Sequence, residues 1–348
     1  MRFAIVCSAH GFGHVTRERV LADALTARGA DVTMFTAAPP AIVGPGVAHV
    51  PWTVDVGIAQ RDSLTEDLDA TRARLDAVVT EARIDALAEV LAGYDRVVVD
   101  IAPAALEAAR RAGVPAFAVG NFDWAWIYGH YAPLRDWAAR FAAWQAPHPA
   151  LFLEPGPGLF GFASVERFGV VGRRADAEHP DGPVAPGGAL RGARPPPQED
   201  EPERDVLVCF GGFGLDGVDA WLPNLTRVTW TIAPPMTPVD RPDVRYVDDV
   251  PFPALVARAD ALLTKPGYGI YAEAALAGTP IVWVDRGAFP EAPHLEAALR
   301  ARGDEKIEGR GPAAVEAALR ARWARPRPAP LASDAPGRLA ARLLGGER

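Results

Sequence analysis

Phe3-Ala-Ile-Val-Cys7-Ser-Ala-His10-Gly-Phe-Gly-His14 opens with five apolar residues and turns at once into a glycine loop. An amphipathic stretch follows from about Thr16 to Arg28, with Val20, Leu21, Ala24 and Leu25 on one face. Gly29 stands where a helix ends, and Asp31 to Thr36 has the pattern of a second strand. Strand, glycine loop, helix and strand make a βαβ unit, and such units imply a parallel sheet. Arg96-Val-Val-Val-Asp100 then reads as a buried strand, Ala104 to Ala112 as a helix and Val114 to Val119 as a further strand.

The second half begins in the same way. Asp205-Val-Leu-Val-Cys-Phe210 is a buried strand that runs directly into Gly211-Gly212-Phe-Gly214. Arg227 to Ile232, Ala259 to Thr264 and Pro280 to Val284 are further strand candidates, and Ile270 to Ala277 and Leu295 to Arg302 are helical. Between the halves, Arg173 to Arg204 holds seven prolines and almost no large apolar residue, the composition of a linker or long surface loop. The expected organisation is therefore α/β, with two doubly wound parallel-sheet domains in tandem. They span 1–170 and 205–332, with a linker over 171–204 and a helical tail over 333–348.

Bulk properties narrow the function. The chain has 348 residues, enough for two domains of ordinary size. Its net charge of −8 argues against a general nucleic-acid-binding role, which needs a basic face. Cys7 and Cys209 each fall inside an apolar run and read as small buried thiols, not as a disulfide framework. No apolar stretch is long enough to span a membrane, and the start is too short for a signal peptide, so a cytoplasmic location is expected. Oligomeric state is not legible.

Chemistry-bearing residues cluster at the two glycine loops. Glycines after a strand let backbone N–H groups face an anion, so Gly211, Gly212 and Gly214 are either a phosphate loop or a tight structural turn. Lys265-Pro-Gly267-Tyr-Gly269-Ile-Tyr-Ala-Glu273 leads from a strand into a helix whose start suits a diphosphate. Lys265 is one of only two lysines, which sets it apart in an arginine-rich chain. Glu273, about a turn inside, can accept from ribose hydroxyls or stabilise the helix dipole. In the first half His10 and His14 can take a proton from a hydroxyl, hold a phosphate or bond within their loop. Arg17 can bind an anion or a carboxylate. Asp100, at a strand end, can orient a histidine, act as the base itself or cap the following helix.

Other features carry less. Asp67-Leu-Asp69 mimics a metal-dependent transferase motif but lies in a charged stretch that reads as a solvated helix face. The Trp124, Trp126, Trp137 and Trp144 series fits core packing as well as acceptor stacking. Zinc-type Cys/His spacing and a Walker lysine motif are both missing from the sequence.

Five blocks together resemble the glycosyltransferase-like proteins related to the amino-terminal part of plant L-arabinokinase. They are Ala9-His-Gly-Phe-Gly-His14-Val-Thr-Arg17, Val98-Val-Asp100-Ile-Ala-Pro103, Asn121-Phe-Asp123-Trp124-Ala-Trp-Ile-Tyr128, Lys265-Pro-Gly-Tyr-Gly269 with Glu273, and Arg286-Gly-Ala-Phe289-Pro-Glu291-Ala-Pro293-His294-Leu295. More distantly, the layout is similar to the peptidoglycan N-acetylglucosaminyltransferase and the UDP-glycosyltransferases.

That resemblance implies a GT-B fold, two Rossmann-like domains facing a cleft, with acceptor and base in the first and donor nucleotide in the second. It implies a hexosyl- or pentosyltransferase, inverting and free of bound metal or cofactor, with a UDP or TDP sugar as co-substrate. The resemblance fixes no donor or acceptor: a small molecule, a lipid-linked group and a peptide all stay open as acceptors. Carried over by position, His14 is the base, with His10 or Asp100 as alternatives; Gly267 and Gly269 hold the diphosphate and Glu273 the ribose. Glu291 and His294 lie near the donor sugar, and Arg17, Asn121, Asp123 and Trp124 on the acceptor side. In similar folds the tail, here Gly337 to Leu344, often crosses back onto the first domain. The rival expectations are a nucleotide-sugar 2-epimerase and a non-catalytic sugar-nucleotide-binding protein.

Overall fold

The computed structural model of the chain describes residues 1–62, 65–175, 202–211 and 217–345. Most of the proline-rich stretch, 176–201, lies outside the described residues, as do Gly212 and Gly214. Backbone contacts divide the chain into two units. The first comprises Met1–Gly172, Phe289–His294 and the residues from Ser333 onward; the second comprises Arg173–Ala288 and Leu295–Ala332.

The first unit opens with β1 (Arg2–Cys7), α1 (Phe12–Thr26), β2 (Asp31–Phe35), α2 (Pro40–Val43) and β3 (Ala48–Val50). A small antiparallel pair, β4 (Gln60–Asp62) and β5 (Thr65–Glu66), precedes α3 (Leu68–Val78) and α4 (Glu81–Leu91). Then come β6 (Arg96–Asp100), α5 (Pro103–Ala112), β7 (Ala116–Gly120), α6 (Trp124–Gly129), α7 (Arg135–Gln145), β8 (Pro149–Leu153) and β9 (Ser164–Phe168). Seven of these strands form one parallel sheet in the order β3-β2-β1-β6-β7-β8-β9. Phe3 to Cys7 and Val97 to Val99 have no solvent exposure, as expected of central parallel strands covered on both faces by helices. Their apolar runs need no alternation because neither face meets water.

The chain winds outward from β1 to β3 on one side, then from β6 to β9 on the other. The order therefore reverses between β1 and β6, where Cys7 pairs with Asp100. Ligands of such sheets bind outside the carboxyl ends of the strands at that reversal.

The second unit repeats the plan with β10 (Arg204–Val208), β11 (Val228–Ile232), β12 (Val244–Tyr246), α8 (Phe252–Arg258), β13 (Ala261–Thr264), α9 (Tyr268–Ala277) and β14 (Ile281–Trp283). They are followed by α10 (Ala292–Ala301), whose first three residues are counted with the first unit, β15 (Glu305–Lys306) and α11 (Pro312–Trp323). Its parallel sheet runs β12-β11-β10-β13-β14-β15 and reverses between β10 and β13. The final helix α12 (Ala335–Leu343) packs with the first unit, where Ser333 Oγ donates to the Val170 carbonyl and Arg342 pairs with Glu166 at 2.6 Å. Cys7 and Cys209 are both free and buried.

Candidate functional site

In the first unit the reversal point is filled by side chains. His14 comes from the first turn of α1, Asp100 from the end of β6, and Asn121 from the residue after β7. His14 Nδ1 stands 3.0 Å from Asp100 Oδ1 and 3.2 Å from Oδ2. Arg17, one turn further along α1, donates from Nη2 to Asp100 Oδ1 at 2.7 Å and from Nη1 to Asn121 Oδ1 at 3.0 Å. Asn121 Nδ2 in turn donates to Glu291 Oε1 at 2.6 Å. Sequence reading singled out all five residues; they form one hydrogen-bonded chain, all but His14 almost fully buried.

Electrostatics decides the state of the pair. Burial pushes the Asp100 carboxyl up, but the Arg17 guanidinium and His14 outweigh it and hold the group below its usual range. An ionised Asp100 only accepts hydrogen bonds, so His14 donates to it from Nδ1, the tautomer with its lone pair at Nε2, and Arg17 Nη2 lies 3.3 Å from the same nitrogen. Among the described residues, Nε2 has no hydrogen-bond partner. Its ring edge meets Phe122 at 5.8 Å between centroids. A carboxylate that fixes the tautomer and leaves the distal nitrogen open is the arrangement a general base requires.

Two buried acids that sequence reading passed over complete this region. Glu18, beside Arg17 on α1, has no exposed side-chain surface and accepts from Arg17 Nε at 3.3 Å through Oε1. Its Oε2 has no partner among the described residues. Burial, followed by the nearby Asp100 charge, pushes it up to about 8, so it is mainly protonated at neutral pH. Asp55 accepts from Ser8 Oγ at 3.1 Å and from the Trp124 indole at 2.9 Å, and burial pushes it up to about 6. Neither showed in the sequence. Glu18 was hidden in a charged run, and Asp55 lies on a segment without regular structure.

The remaining first-unit candidates fall as follows. Trp124 has no solvent exposure and its N–H is bonded to Asp55, so it is a core residue with no face open to an acceptor. Asp123 is structural: it caps α6 by accepting from the Trp126 N–H at 2.7 Å and also accepts from Phe160 N–H at 2.9 Å. His10 packs edge-on to Trp124 at 5.3 Å, with Gly57 so close that an added Cβ would meet the ring at 2.3 Å. His294 meets Trp126 edge-on at 5.9 Å, and with Glu291 it belongs to the first unit. Ile101, directly after Asp100, is held at φ 48°, a strained conformation for a β-branched residue at the site's edge.

In the second unit the candidates lie after β10 and β13, the two strands that flank the reversal. Gly211 follows β10 with φ 72°, and Lys265, 8% exposed, follows β13. Gly267 is the N-cap of α9 and makes no side-chain cap, so no side chain of that residue blocks the first N–H groups of the helix. Gly269 is the second residue of α9. Glu273 is the sixth, beyond the first turn, so capping or first-turn dipole stabilisation does not account for it. Its side chain is 5% exposed and pairs with Arg173 Nε at 2.6 Å through Oε1. Burial pushes the carboxyl up, against the pull of Arg173.

Comparison with known proteins agrees with this architecture. No family model matches the chain. An L-arabinokinase from Arabidopsis thaliana is 28% identical over 318 residues, covering 84% of this chain but 29% of the relative, so the chain spans under a third of that protein's length. Among solved structures, the glycosyltransferase of kitacinnamycin superposes with a TM-score of 0.63 at 19% identity, covering 99% of this chain and 93% of that one. The glycosyltransferase SnogD from Streptomyces nogalater gives 0.58 at 19% identity, covering 99% of each chain. A UDP-glucosyltransferase from Polygonum tinctorium capable of glucosylating indoxyl gives 0.59 at 16% identity, again over 99% of each. With two parallel α/β sheets and these likenesses, the chain has the GT-B fold of these glycosyltransferases.

Proposed function

We propose that the protein is a glycosyltransferase that moves a sugar from a nucleoside-diphosphate donor to an acceptor hydroxyl or amine, with inversion and without a bound metal. The observation that carries this reading is the His14–Asp100 pair, with Nε2 open at the reversal point of the first sheet. His14 Nε2 takes the acceptor proton while the acceptor oxygen or nitrogen attacks the anomeric carbon. The bond from that carbon to the diphosphate breaks, and the diphosphate leaves with the electron pair. The imidazolium is stabilised by Asp100, whose ionised state Arg17 protects.

On the donor side, the start of α9 supplies backbone N–H groups and the positive end of a helix dipole for the diphosphate, and Lys265 adds a charge. Glu273 takes the ribose hydroxyls. UDP and TDP are the favoured nucleotides, and the likeness to an arabinokinase puts pentosyl beside hexosyl donors in the panel to be screened.

The test is release of nucleoside diphosphate from UDP- and TDP-sugars, with and without acceptor hydroxyl compounds. Acceptor-dependent release supports the transferase. Conversion of the donor sugar without acceptor moves the reading to an epimerase. Tight binding with no turnover against any acceptor reduces the protein to a sugar-nucleotide binder.

A further inference from the structure

Glu273 is a carboxylate on the second turn of α9, and it is anchored from outside its own helix. Arg173, the first residue of the second unit, donates from Nε to Glu273 Oε1 at 2.6 Å, and its guanidinium lies 6.0 Å over the ring of Phe252, the first residue of α8. No described residue donates a hydrogen bond to Oε2. The charged and titratable groups that act on Glu273 among the described residues are Arg173 and the Cys209 thiol just after β10. That thiol is pushed up to about 12, chiefly by burial, so it is neutral and contributes no charge at ordinary pH. One guanidinium therefore balances a carboxylate whose side chain is 5% exposed.

We propose that Arg173 is a positioning residue for nucleotide binding: it holds Glu273 through Oε1, so that Oε2 accepts the ribose hydroxyls of a nucleoside diphosphate. This rests on the ribose role given to Glu273 above. A hydroxyl donating to a carboxylate makes a charge-assisted bond, whereas a protonated carboxyl offers a weaker acceptor and a competing O–H. Without Arg173, burial acts on Glu273 unopposed, and the acid stays protonated to higher pH. The loss in ribose binding then appears at low pH and is recovered as pH rises.

The experiment is titration of UDP into the full chain at about pH 6, 7 and 8.5, for the parent, Arg173→Gln, Arg173→Lys and Glu273→Gln. Glu273→Gln is expected to weaken UDP by about tenfold at every pH, the loss of one charge-assisted bond. Arg173→Gln is expected to weaken UDP by a similar factor at pH 6 and to approach the parent at pH 8.5, with Arg173→Lys close to the parent throughout. Tighter binding by Arg173→Gln would show that Arg173 competes with the ribose and would overturn the proposal. Equal weakening at all three pH values would do the same, leaving Arg173 a direct contact or a structural one. A parent that binds UDP alongside an equally tight Glu273→Gln variant removes the ribose reading itself, an outcome separate from any result at Arg173. A parent that binds neither UDP nor TDP refutes the donor site, and this proposal with it, before a variant is compared.

Discussion

Replacing Glu18 with glutamine should flatten the pH dependence of stability without harming the fold near pH 6. Glu18 has no exposed side-chain surface, and burial with the Asp100 charge raises its carboxyl from an ordinary 4.5 to about 8. The folded chain therefore binds this proton more tightly than the unfolded chain does. Stability falls as pH rises from the unfolded value toward the folded one, and the loss is nearly complete above about pH 8. Between pH 6 and pH 8 a displacement of this size corresponds to about 2 kcal/mol. Glutamine keeps the shape and the acceptor for Arg17 Nε but carries no titrating proton, so the variant lacks that component. Asp55, raised by burial to about 6, titrates in both proteins and cancels in the comparison. Urea unfolding followed by tryptophan fluorescence, for both proteins at the two pH values, reads the double difference. An identical pH response in Glu18→Gln and the parent would refute the protonated, buried Glu18. A variant already weakened by more than about 3 kcal/mol at pH 6 would do so as well, because that is the cost of removing a paired buried charge.

His14→Ala should leave UDP affinity unchanged in calorimetry and slow sugar transfer by about 10² to 10⁴, the usual worth of a general base; an active variant moves the base elsewhere. Gly156→Ala should destabilise the first unit by about 1 to 3 kcal/mol, because the new Cβ would meet the Asn121 carbonyl oxygen at 2.1 Å and backbone gives way reluctantly. A melting temperature equal to the parent's would refute that packing. Gly267→Ala should fold as well as the parent, since its φ of −160° suits any residue and the nearest side-chain atom to a new Cβ is 4.0 Å away. It should still bind UDP more weakly in titration, by crowding the diphosphate, and unchanged binding argues against a diphosphate at the start of α9.

The apolar runs made the two parallel sheets legible, because β1, β6 and β13 are covered on both faces and carry polar residues only at their ends. β9 was missed for the opposite reason: it is an edge strand reading Ser-Val-Glu-Arg-Phe, largely exposed, without a continuous apolar stretch. On α1, periodicity chose Val20, Leu21, Ala24 and Leu25 as the inward face. The structure buries Leu21 and Leu25 but also Arg17, Glu18 and Ala22, leaving Val20 and Ala24 partly open. The helix face is rotated because its first turns serve Asp100 and Asn121, and a hydrophobic count cannot register a buried ion pair. His14, Arg17 and Asp100 were legible as separate residues. That Asp100 orients a histidine and that Arg17 binds a carboxylate were open alternatives; which histidine and which carboxylate depends on Cys7 pairing with Asp100 across the sheet. Trp124 followed the blander of its two readings, and its indole N–H locks a buried aspartate that no motif marks.

In each unit a helix starts beside the reversal of the sheet, α1 after β1 in the first and α9 after β13 in the second. α1 and α9 both begin at a glycine N-cap without a side-chain bond. At Gly11 the backbone itself demands glycine, with φ 80°, although an added Cβ would meet nothing within 4 Å. At Gly267 neither the backbone angle nor the packing demands it. A glycine that folding does not require, at the uncapped start of a helix and two residues after a lysine, is accounted for by the close approach of a ligand to the backbone. On the function proposed above, the first unit's reversal point manages a proton and the start of α9 receives an anion. That division of labour is what direct displacement at a sugar carbon needs: a base for the incoming group, and an electropositive cradle for the departing diphosphate.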